Sequence, residues 1–143
     1  MCEGAQLANL ADVRGAFRNI AGPRMFQIGE DDYGYVYTRL RDLNNVPGPV
    51  WKCCKAAHGF GSAGQRLYIF QTASGMFAAA HGDAAMTTPA DVQDAYNGGR
   101  MTTIFCSLGE DVLSAGDHWW GVCDNGTFDA DDVNAFTTSI LEA

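Results

Sequence analysis

The chain has 143 residues, 47% of them hydrophobic, which suits one domain around one core and is too apolar for wholesale disorder. No apolar run reaches the roughly 20 residues of a membrane-spanning helix, and a net charge of −8 opposes contact with phosphate backbones or anionic lipid. The expected partners therefore include neither nucleic acid nor a membrane interior.

From the N-terminus, Leu7, Leu10, Val13, Phe17 and Ile20 recur at three- and four-residue steps and predict a helix over 6–20. Gly22-Pro23 stops it. A β-rich body follows over 24–128. Met25-Phe26-Gln27-Ile28 reads as a strand, and Tyr33, Tyr35 and Tyr37 alternate with smaller residues at the period of a pleated sheet. Asn44 to Pro49 is turn chemistry, Val50 to Cys54 a short strand, and RLYIFQT (66–72) with 76–80 a hairpin around Ala73-Ser74-Gly75. Thr88-Pro89-Ala90-Asp91 combines a hydroxyl N-cap, proline at the first helical position and an early carboxylate, so one short helix is inserted there. Strands return at 102–108 and 118–123. Val133, Phe136, Ile140 and Leu141 then predict a C-terminal helix over 130–142. The expected fold is α+β: a single domain, 1–143, with one antiparallel meander sheet between two terminal helices.

Several patterns suggest chemistry and lack its context. Gly59-Phe60-Gly61-Ser62-Ala63-Gly64 spells the dinucleotide fingerprint, yet a strand pattern follows it where that motif needs a helix. Setting Gly126 at the sixth position of a calcium loop places Gly121 and Cys123 where hard oxygen ligands belong. Cys53 and Cys54, adjacent on a strand, point to opposite faces and converge poorly on one zinc ion. Three histidines (His58, His81, His118) keep an unrecognised hydrolase open, but no nucleophile elbow or H-E-x-x-H motif is present. The reading is therefore no catalytic residues, no cofactor and no metal. Five cysteines at irregular spacing, and a start (Met1 to Ala5) without basic or apolar signal regions, place the chain inside the cell, in cytosol or organelle.

Charge and aromatics together nominate a surface. Residues 1–100 hold all nine basic side chains and nine acidic ones, whereas 101–143 hold eight acidic ones and no base. Trp119 and Trp120 lie in that acidic part, and on a strand one of them must face away from the core. The candidate binding residues are Trp119 and Trp120 with Asp117, Asp124, Asp129, Asp131 and Asp132, and the fitting partner is a protein with a basic patch. A non-catalytic interaction module, an accessory subunit of a larger assembly, is the primary expectation. A small-ligand or glycan binder using aromatics is the alternative.

Tyr33-Gly34-Tyr35, Pro49-Val50-Trp51-Lys52, Leu67-Tyr68-Ile69-Phe70, Gly75-Met76-Phe77 and the close from Trp120 to Phe128 follow one another in a distinctive order. Over residues 24–128 this resembles a short β-rich repeat module common in proteins of dinoflagellates and other protist algae. Two departures stand out: Met76-Phe77 replaces the usual tryptophan, and the segment 88–100 is an added helix. The resemblance implies a small β module accessory to something else, and it brings no activity or catalytic residues with it.

Overall fold

The computed structural model describes residues 14–29, 34–41, 48–55, 66–124 and 127–143, with the side chains of Asp124 and of residues 127–132 outside that description. Eight strands form a closed antiparallel barrel in chain order: β1 (Met25–Ile28), β2 (Tyr35–Arg39), β3 (Val50–Lys55), β4 (Leu67–Gln71), β5 (Phe77–His81), β6 (Thr102–Ser107), β7 (Gly116–Asp124) and β8 (Thr127–Glu142). One helix, α1 (Pro89–Asn97), joins β5 to β6. Thr88 caps it by accepting from the Asp91 amide at 3.2 Å, with Pro89 in the first turn.

This corrects the α+β expectation, and each end of the chain shows why. Residues 130–142 are strand, not helix: β8 pairs with β7 on one side and β1 on the other, with Phe26 opposite Ile140 and Ile28 opposite Thr138. Those pairings close the barrel and satisfy backbone groups that an open sheet would leave along two edges. Apolar spacing that suited a helix was a local signal, and pairing between the chain ends overrode it. Of the helix expected over 6–20, residues 14–20 are irregular and the remainder lies outside the described residues. Arg18 N donates to Gln71 O at 2.9 Å, so this segment leans on the end of β4.

Two apolar cores share the wall of strands β3 to β5. Alternate residues from around the barrel (Phe26, Tyr37, Trp51, Cys53, Leu67, Ile69, Phe77, Ala79, Trp120) meet inside it. Their neighbours Val50, Tyr68, Phe70, Ala78 and Ala80 face outward and are covered by Phe17 and by Val92, Ala95 and Tyr96 of α1. Consequently all five residues of β4 are buried, which is why its sequence is apolar almost throughout. The phenyl rings of Phe17 and Phe70 stack at 4.1 Å, and Tyr96 meets Phe70 edge-on at 4.9 Å.

One end of the barrel is closed by its own chain. Trp51 Nε1 donates to Pro23 O at 2.8 Å, Val112 of the β6–β7 connection is buried with the interior core, and Arg18 pairs with Glu110 at 3.2 Å over the exposed rim. The other end, where β1 passes to β2 and β5 to α1, leads into a cavity.

Candidate functional site

The cavity occupies about 500 Å³ of the barrel interior at that second end. Its floor and walls come from seven of the eight strands: Ile28 on β1, Tyr35 and Tyr37 on β2, Leu67 and Ile69 on β4, Ala79 and His81 on β5, Ile104 and Phe105 on β6, Trp120, Val122 and Cys123 on β7, and Phe136 on β8. Eight strands enclose just enough space for filling side chains or for one small ligand. Two local features tip this barrel toward space. Ala79 places a methyl group where its neighbours across the sheet carry an isoleucine and a phenylalanine, since Ile69 and Phe105 flank it in register. A bulge between Ala79 and Ala80 leaves Ile104 as the extra residue on β6, so Ile104 and Phe105 both reach the cavity although they are adjacent.

Among the described residues the lining carries no Asp, Glu, Lys or Arg side chain. Burial disfavours the charged form of three of its titratable groups, Tyr35, Tyr37 and His81. Burial, then the nearby Cys53 and Tyr35, pushes the Tyr37 hydroxyl well above its ordinary 10, and burial first and Cys53 second raises Tyr35. Burial first, and then the Arg66 charge, lowers His81 from its ordinary 6.5, so its ring is uncharged at neutral pH. Behind the tyrosines, burial pushes the Cys53 thiol up to about 11. Phe105 and Phe136 meet edge-to-face at 5.7 Å within the lining. The described residues offer a largely apolar, aromatic interior with a few polar groups.

The nominated surface residues are placed differently from this cavity, with one exception. Trp119 faces outward and is 57% exposed; Trp120 faces inward, is 2% exposed and lines the cavity. Asp117 is exposed on the outer side and accepts from Thr137 Oγ1 at 2.7 Å. Asp124, Asp129, Asp131 and Asp132 lie along the β7–β8 hairpin, and their side chains fall outside the described residues. Cys53 is buried inside the barrel while Cys54 is exposed outside it. No group of three or more His, Cys, Asp or Glu gathers among the described residues. The Gly59–Gly64 segment lies outside the described residues.

His118 and Ser114 touch, but not as a base and its nucleophile. His118 Nε2 lies 2.7 Å from the Ser114 carbonyl oxygen, a contact that requires the ring nitrogen to carry its proton and donate it. The same nitrogen cannot then accept from Ser114 Oγ, 3.3 Å away.

No family model, curated protein or solved structure matches the chain.

Proposed function

We propose that the protein binds a small, largely apolar molecule inside its barrel. The observation that carries this reading is the cavity of about 500 Å³, lined by inward-facing strand residues and, among the described residues, by no charged side chain. Ligand sites are typically clefts of roughly 300–1,000 Å³, mostly apolar, with a few polar groups to fix orientation. Here those groups are Tyr35, Tyr37, His81 and the indole of Trp120. Transfer of apolar ligand surface from water supplies the affinity, offset by the cost of association.

Titration with the neutral fluorophore 1-aminoanthracene tests the proposal. Saturable one-to-one binding with enhanced, blue-shifted emission is expected, and Ala79→Phe, which projects a ring into the cavity, should weaken it in a protein that still folds. Emission that rises without saturation, or is indifferent to Ala79→Phe, contradicts it.

A second reading rests on Trp119. A tryptophan 57% exposed on the outer side of β7, beside the exposed Asp117, is suited to anchor a protein partner carrying a basic patch. Trp119→Ala should then weaken retention of a basic partner without changing fluorophore binding; equal retention removes this reading.

A further inference from the structure

We infer that the cavity selects an uncharged ligand bearing a hydrogen-bond acceptor, which receives the indole N–H of Trp120. This rests on the ligand-binding reading above and specifies its chemistry.

Two large indoles are buried in the barrel interior, Trp51 at 0% and Trp120 at 2% exposure. Their N–H groups fare differently. Trp51 Nε1 donates to Pro23 O at 2.8 Å, a bond made entirely within the chain. Trp120 Nε1 is buried and has no acceptor among the described residues. Buried polar side-chain atoms nearly always have a partner, because a donor taken from water and left unpaired is costly. Gln71 Oε1 and Thr138 Oγ1 share that condition among the described residues, but neither residue lines the cavity, and Trp120 does. Bulk alone would be supplied by phenylalanine. An indole at this position adds a donor, and nothing among the described residues of the wall receives it.

The charge of the acceptor follows from the rest of the lining. A carboxylate or phosphate brought inside would need a cation beside it. Among the described residues the lining holds no Lys or Arg, and burial first, then the Arg66 charge, disfavours a proton on His81. Tyr37 remains a protonated hydroxyl, able to donate but not to balance charge. The fitting acceptor is therefore a carbonyl, ether or hydroxyl oxygen on an apolar, ring-bearing skeleton.

Fluorene and 9-fluorenone share one rigid skeleton and differ by a carbonyl, so displacement of 1-aminoanthracene by each isolates the acceptor. The preference of wild-type protein for fluorenone over fluorene should fall about tenfold in Trp120→Phe, the ratio cancelling any change in packing that both ligands feel. Fluorene-9-carboxylate should bind far more weakly than either. An independent measurement needs no variant: the Trp120 indole ¹H–¹⁵N resonance should move downfield with fluorenone and not with fluorene, with the Trp51 resonance as a fixed reference. If neither compound binds wild-type protein, the cavity reading itself fails. If both bind, but the preference survives Trp120→Phe or the indole resonance responds equally to both, the cavity reading stands and the acceptor inference is overturned. Tight binding of the carboxylate overturns the requirement for a neutral ligand.

Discussion

Trp119 and Trp120 are consecutive in sequence and stand on opposite sides of the same barrel wall, the first 57% exposed and the second 2% exposed. On β7 they pair with Ala135 and Asn134 of β8, so the alternation of one strand pair places one indole against solvent and the other at the cavity. The two residues separate the two functional readings: an outer contact surface belongs to Trp119, an interior ligand to Trp120.

Their contributions to stability should differ as sharply. Trp120→Ala removes a large buried ring and should cost about 3–5 kcal/mol, whereas Trp119→Ala, on the surface, should stay within about 0.5 kcal/mol of wild type. Urea unfolding measures both, and comparable losses would contradict the assigned faces.

The outer core makes a second prediction. Phe17 stacks on Phe70 and fastens the segment before β1 onto the sheet. Gly48, with φ of +91°, lies so close to Phe17 that a Cβ there would come within 2.5 Å of its backbone oxygen. Phe17→Ala should cost about 3–5 kcal/mol. Gly48→Ala should also destabilise markedly, through both its backbone conformation and the clash. A Gly48→Ala protein with unchanged urea midpoint would show that this packing is not maintained in solution.

Local features of this fold are legible in the sequence, and closure is not. The alternation through Tyr35 and Tyr37 and the cap at Thr88-Pro89 depend only on neighbouring residues, and strand β2 and helix α1 follow from them. Strand β8 depends on a partner at the other end of the chain. Val133, Phe136, Ile140 and Leu141 fit a helical stripe, yet the pairing of Ile28 with Thr138 decides their conformation. The cavity was equally hidden, although Ala78-Ala79-Ala80 amid large aromatics carried a signal. Ala78 and Ala80 lie in the outer core that receives α1, and Ala79 leaves room inside. Trp119 and Trp120 both belong to the surface expected from sequence, because their adjacency on a strand shows that the two diverge without showing which one turns inward.

His81 makes stability and binding depend on pH. Its folded-state pKa lies below the ordinary 6.5, so the folded protein takes up this proton less readily than the unfolded chain. The associated stability is complete above about pH 6.5 and is lost as the pH falls through the lowered folded value. His81→Gln should therefore show a smaller fall in Tm between pH 7.5 and pH 5 than wild type. Affinity for 1-aminoanthracene should likewise lose part of its decline over that interval, once the probe's own titration is subtracted. Identical pH profiles would show that His81 does not titrate at the mouth.

The cysteines should report the two sides of the wall. Cys54 is exposed, while Cys53 is buried with its thiol pushed up to about 11. Cys106 and Cys123 are buried, their sulfurs 3.8 Å apart. With iodoacetamide at pH 8, Cys54 should be alkylated well before these three, because the thiolate is the reactive form and burial denies access. Peptide mapping gives the order, and Cys53 reacting as fast as Cys54 would be incompatible with the inner face of β3.

Isoleucine methyl NMR tests the central claim most directly. The chain contains five isoleucines, of which Ile28, Ile69 and Ile104 line the cavity and Ile20 and Ile140 do not. With 9-fluorenone, the resonances of Ile28, Ile69 and Ile104 should shift together and saturate at one equivalent, through the ring current of the bound aromatic. Ile20 and Ile140 should stay in place. Shifts confined to Ile140 or Ile20, or none at any isoleucine up to the solubility limit, would contradict a ligand site inside the barrel.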